Sequence, residues 1–224
     1  MKISTKQLSK VTSAYLKNKL KQVPDHEFKN DKIRLHRAIS WIKCAEDHTN
    51  NPDIKFISLW IAFNACYADN QLQLNIFTEK ENLKHFINQL VHQDHEELFF
   101  NILWEKFSGP IRLLIQNQYA YKYFWVTQRE NNIDWRKSLN ISIKQANKYL
   151  SNYKVANLLE VVLDRLYTVR NQLLNGGSTY KSKLNRYQVT DASNILEFLM
   201  PVIVDIMITN IPFNWGQIRY PVVE

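Results

Sequence analysis

Apolar residues recur at three- and four-residue intervals along most of the chain, the spacing of one buried face on an α-helix. The longest such run is Leu158, Leu159, Val162, Leu163, Leu166, Val169 and Leu173, which predicts an extended amphipathic helix. Ile33, Ala38, Trp41, Ile42 and Ala45 predict another over 31–47, and Ile195, Leu196, Leu199, Val202, Ile203 and Ile206 a third, with Pro201 expected to kink it. Leu8, Val11, Tyr15, Leu16, Leu20 and Val23 predict a first helix ended by Pro24. The run from Phe56 to Ala68 is apolar nearly all round and therefore reads as a central, buried helix. Asn64 is its exception. A buried amide needs a hydrogen-bond partner or costs about 1–3 kcal/mol, so Asn64 belongs to a structural amide network or supports a site.

Between these runs, residues 79–94 and 96–107 predict two helices interrupted near Asp94. Gly109-Pro110 predicts a break, after which a helix resumes over 111–125. That segment carries Tyr119, Tyr121, Tyr123, Phe124 and Trp125 beside Lys122 and Arg129. Such rings either pack in a core or stack on unpaired bases. Asp134 is placed to cap a polar helix over 135–153, and Asn185 with Gln188 has the spacing of a capping box. Residues 210–224 read as a tail. The fold class that follows is all-α, with an N-terminal helical arm over 1–30 and one helical domain over 31–224.

Composition narrows the function classes. With 6 Pro and 4 Gly in 224 residues, a turn-rich all-β fold is disfavoured, and 45% hydrophobic residues argue against disorder. The net charge of +8 suits an anionic partner such as nucleic acid, although charge also serves solubility. Lys2, Lys6, Lys10, Lys17, Lys19 and Lys21 precede the first acid, Asp25. They form either an arm that tracks phosphates or the solvated face of a packed helix. Cys44 and Cys66 have no metal spacing and predict reduced, buried thiols. The chain has neither a secretory apolar segment nor an uninterrupted apolar run long enough to span a bilayer, so a cytoplasmic location is expected. His26, His36, His48, His85, His92 and His95 fall in no zinc-binding pattern, and there is no phosphate-cradling glycine loop or nucleophile elbow. No metal or cofactor is expected.

One stretch keeps a specific pattern: Arg170-Asn171-Gln172-Leu173-Leu174-Asn175-Gly176-Gly177. The glycine pair marks a helix end, and the polar groups gather beside it. The stretch resembles the Arg-x4-His motif of HEPN domains, helical bundles that include metal-independent endoribonucleases of toxin–antitoxin, phage-defence and RNA-processing systems. The resemblance to an Apea-like HEPN group extends over Arg34 to Glu46, Leu59 to Tyr67, Leu184 to Val189, and Trp215-Gly216 through Tyr220 to Glu224. It implies an HEPN-like helical bundle with an extra N-terminal helix, working as a homodimer on single-stranded RNA or tRNA. A cognate antitoxin or effector protein is the implied partner. By the resemblance, Arg170 stabilises the scissile phosphate, Asn171 is its polar neighbour, and Asn175 occupies the position of a proton-shuttling histidine. Asn64, Glu46, Lys181 and Arg186 are expected to bind RNA or support the site.

Asn175 departs from the motif at the position that carries the acid–base chemistry. An amide neither takes nor gives a proton near neutrality. Three explanations fit: an introduced His-to-Asn change that silences a nuclease, a natural pseudoenzyme, or an enzyme using another base, for which no histidine follows His95. A non-catalytic HEPN module that binds RNA, a nucleotide or a partner protein is the alternative function. At about 100° per residue, Arg170 and Asn175 lie roughly 140° apart on a continuous helix. They converge only if the helix breaks before Gly176 or if a second protomer supplies one of them. Taken by themselves, Asn175-Gly176 also make an ordinary helix stop.

Overall fold

Thr12 opens the first helix from extended backbone, its hydroxyl accepting from the Tyr15 amide at 3.3 Å. The structure, a computed structural model, describes residues 11–24, 28–67, 79–128, 134–182 and 186–222. In chain order the helices are α1 (Ser13–Lys21), α2 (Lys29–Asp47), α3 (Pro52–Tyr67), α4 (Glu79–Gln93), α5 (Leu98–Lys106), α6 (Arg112–Gln116), α7 (Lys122–Thr127), α8 (Trp135–Ser151), α9 (Val155–Leu174) and α10 (Arg186–Thr209). The class is all-α, with no extended strand among the described residues.

The centre is α3, as its uniform apolarity requires. Phe56, Leu59, Trp60, Ala62, Phe63 and Cys66 are all buried. Trp60 stacks against Phe56 at 6.1 Å, meets Phe63 at 5.5 Å and touches Tyr167 of α9 edge-on at 6.0 Å. The thiol of Cys66 is pushed up to about 12 by burial. Cys44 is free and only half-buried, with Sγ 3.3 Å from the Ser58 hydroxyl.

α1 packs into this core instead of standing apart. Leu16 and Leu20 are buried, the Lys19 ammonium pairs with Asp205 of α10 at 2.6 Å, and the lysine face points outward at Lys17 and Lys21. Lys2, Lys6 and Lys10 lie outside the described residues. At the other end of the chain, the buried Arg34 donates from Nη1 to the Trp215 carbonyl and from Nη2 to the Gly216 carbonyl, each at 2.7 Å. This fastens the tail against α2.

Gly109-Pro110 interrupts the helix as expected: Gly109 leaves helical backbone at φ −115°, ψ −116°, and α5 and α6 meet there at a kink. The run expected over 111–125 is interrupted, because Asn117 turns extended and its side chain accepts from the Tyr119 amide at 2.9 Å. A short 3-10 turn (Gln118–Ala120) and the extended Tyr121 then lead to α7. α10 continues through Pro201 as one helix. By length and composition α10 could cross a membrane, but 72% of its apolar window is buried inside the fold, which makes it a core helix. The expected Asn185 cap lies outside the described residues.

Candidate functional site

α9 buries Leu158, Leu159, Val162, Leu163, Leu166 and Val169, and this one-sided burial leaves the last turn to carry polar groups outward. Arg170 and Asn171 are half-buried, whereas Leu174 and Asn175 are exposed. The Arg170 Nη1 donates to the Asn171 Oδ1 at 2.8 Å, and its guanidinium lies 5.5 Å from the Tyr167 ring centroid. Its Nε is buried and has no hydrogen-bond partner among the described residues. No carboxylate among the described residues pairs with it. A cation here is favoured by the negative end of the α9 dipole, and its remaining N–H groups are available to an anion.

The helix stays regular to its end, with the Asn175 amide donating to the Asn171 carbonyl at 3.1 Å. Gly176 then takes φ +72°, the left-handed turn that a glycine adopts without Cβ strain. Because no break precedes Gly176, Arg170 and Asn175 keep their separation of roughly 140° about the axis. Within one protomer they face different directions. Asn175 instead shares a face with Gln172, three residues earlier.

The loop after α9 is pinned to the start of α3 by Asp53, which the sequence marks only as part of a turn or helix start. Its buried carboxylate accepts from the Lys181 backbone N–H at 3.0 Å and from Arg186 Nη1 at 2.5 Å. The Asn51 amide adds a bond to the Tyr180 hydroxyl at 2.7 Å. Lys181 and Arg186 are thus brought together, but by a fastening that occupies the Arg186 guanidinium. The exposed Lys181 ammonium lies 5.3 Å from the Tyr180 ring.

Glu46 and Asn64 stand elsewhere. Glu46 holds the start of α1, accepting from the Ser13 amide at 2.8 Å and the Ser13 hydroxyl at 2.5 Å. Asn64 lies eleven residues beyond Asp53, about 16 Å along α3 at 1.5 Å per residue, toward the end where Arg34 reaches the Cys66 carbonyl. It is half-buried and makes no hydrogen bond among the described residues. The buried amide network expected around it does not form, because partial exposure lets water satisfy the amide.

Two further groups sit beside the motif and were not singled out from sequence. The Gln172 Nε2 donates to the Tyr119 carbonyl at 2.5 Å, and the buried Gln188 sends its Nε2 to Gln172 Oε1 at 3.4 Å. Arg165, also buried, donates to Ser142 Oγ at 2.8 Å and Asp164 Oδ2 at 2.9 Å, and sits 4.4 Å from the Tyr121 ring. Burial lowers its pKa, opposed by Asp164. Only tertiary contacts disclose these roles. Among the described residues no three His, Cys, Asp or Glu side chains converge.

Compared with known proteins, the chain matches no family model, no curated protein and no solved structure.

Proposed function

We propose that the chain is an HEPN-type endoribonuclease scaffold, metal-independent in its chemistry, that pairs as a homodimer on RNA and is crippled by Asn175. The observation that supports this reading most is Arg170: a guanidinium at the end of a rigid helix, braced by Asn171 and Tyr167, with no carboxylate partner among the described residues. Structural arginines in this chain differ, since Arg34, Arg165 and Arg186 each meet a carboxylate. Arg170 is the one set to bind a phosphate oxygen at the motif.

In this reading Arg170 offsets the charge that builds on the scissile phosphate while the neighbouring 2′-OH attacks. The side chain at 175 is where the proton of that hydroxyl has to go. Asn175 can hydrogen-bond the hydroxyl but cannot take its proton, which costs about 10²–10⁴-fold in rate. Binding through Arg170 survives. The wide angle between Arg170 and Asn175 favours a cleft to which two protomers contribute. A toxin or phage-defence role, with a cognate antitoxin or effector, is the setting the motif suggests.

Asn175→His is expected to produce cleavage of single-stranded RNA or tRNA that persists in EDTA and leaves a 2′,3′-cyclic phosphate end. Adding Arg170→Ala to that variant should abolish it. If Asn175→His cuts no RNA in a panel that includes tRNA, the nuclease reading is wrong.

A further inference from the structure

Beside the Gln172 and Asn175 face of α9 lies a group of rings that the core does not enclose. Phe124 meets Tyr119 at 5.3 Å, Trp125 at 5.1 Å and Trp135 at 5.1 Å, each nearly perpendicular to it. Phe124 is half-buried, as a packing residue should be, but Trp125 is 37% exposed. The indole N–H of Trp125 donates to the Tyr119 carbonyl at 2.8 Å. Its polar edge is therefore already satisfied, and what it shows outward is apolar ring in a fixed orientation. The Gln172 Nε2 donates to the same carbonyl, which ties the rings to the helix that carries the motif.

Two cations lie on or near these rings. The Arg136 guanidinium lies 4.6 Å from the Trp135 ring, is exposed, and pairs with no carboxylate among the described residues. The Lys122 ammonium lies 5.1 Å from the ring of Tyr123, which is 38% exposed. Across residues 111–154 the sequence has eight Lys and Arg against two acids, whereas the whole chain has 29 against 21. The segment that presents the rings is thus one of two strongly basic stretches, the other being the lysine-rich first 24 residues.

We infer that Tyr119, Phe124, Trp125 and Trp135, together with Arg136, form a platform on which unpaired RNA bases stack while the cations hold the flanking phosphates. Each base has a π-face, so ring stacking tolerates sequence and favours single strands, whose bases are free to splay. The platform is fastened next to the face of Asn175, so a strand lying on it runs toward the reacting position. A core-packing role accounts for Phe124. It does not account for an exposed indole whose N–H is satisfied internally, set among unpaired cations. The choice of RNA as the stacked strand rests on the proposed function; the stacking surface itself does not.

The test is fluorescence anisotropy of the full chain with a short fluorescein-labelled single-stranded oligouridylate, at fixed salt, alongside duplex RNA of equal length. Trp125→Ala is expected to weaken single-strand binding about 5- to 100-fold, Trp125→Phe to retain most of it, and duplex binding to move little. Arg136→Ala should weaken binding and reduce the salt slope by about one. Binding by wild-type protein should quench tryptophan fluorescence, and circular dichroism should show each variant folded. The platform is overturned if folded Trp125→Ala and Arg136→Ala bind the single strand as tightly as wild type, or if wild type binds no single strand. It is also overturned if those variants keep RNA binding and lose a protein partner instead. Loss of binding in Arg170→Ala alone rejects the platform and leaves the nuclease scaffold standing. Platform-dependent binding with an inert Asn175→His rejects the nuclease and leaves the platform.

Discussion

At the scale of single residues, the arginines that fasten distant segments differ from Arg170 at the end of α9. Arg34 and Arg165 spend their donors on carbonyls, hydroxyls and carboxylates, whereas Arg170 meets only an amide oxygen and a ring. The two kinds look alike in sequence, because an arginine's partners come from distant segments. Carboxylates divide in the same way. Asp94 caps α5 by accepting from the Leu98 and Phe99 amides at 2.9 and 2.8 Å. Burial nevertheless raises its pKa; those amides oppose the rise, and Glu96 and Glu97 add to it by repulsion. A carboxylate with a raised folded pKa binds its proton more readily in the fold, so its contribution to stability is full below the unfolded value and is lost as pH rises through the folded one. Asp94→Asn removes that dependence. The stability of wild type minus that of the variant should therefore fall as pH rises from below about 3.8 toward neutrality, measured by urea unfolding at each pH.

At the scale of elements, the end of α9 is defined as much by α3 as by its own glycines. Asp53 ties both the Lys181 backbone and the Arg186 side chain to the start of α3, closing the loop that follows the motif. Replacing Asp53 with alanine leaves the Lys181 N–H and the Arg186 guanidinium without their acceptor. The expected cost is about 2–3 kcal/mol in urea unfolding, with faster hydrogen exchange at the Lys181 amide. The partial exposure of Arg186 keeps the figure at the lower end of buried-pair losses. Helix α6 and the turn that follows show the opposite case. Apolar spacing carries a helix through Asn117, but the Asn117 side chain captures the Tyr119 amide and ends it. That interruption puts the Tyr119 carbonyl where both Gln172 and Trp125 reach it.

At the scale of the whole molecule, the unbroken α9 has a consequence for assembly. If the site combines Arg170 of one protomer with residue 175 of the other, activity can be restored by mixing two inactive chains. Wild type lacks the proton-transfer group, and the Arg170→Ala, Asn175→His double variant lacks the phosphate-binding one. Co-refolded together, they should cleave RNA while each alone does not, and sedimentation should show a dimer. A mixture that stays inert while Asn175→His alone is active places both groups of a site on one chain. The charge distribution belongs to this scale too, since α6 and α8 of the basic segment over 111–154 are packed against the motif helix α9 only by the fold.

What the sequence determined by itself is the class and most of its helices: three- and four-residue apolar spacing requires one-sided burial, and uniform apolarity put α3 in the centre. It also located Arg170, Asn171 and Asn175 at a helix end, because periodicity stops where Gly176 permits a left-handed turn. What only the tertiary structure decided is which polar residues act together. Arg186 and Lys181 are joined through Asp53, Glu46 serves α1, and Asn64 sits at the far end of α3. The physical reason is range. Helical periodicity is a property of neighbours along the chain, whereas hydrogen bonds and ion pairs such as Gln172 to Tyr119, 53 residues apart, depend on packing that local spacing does not encode.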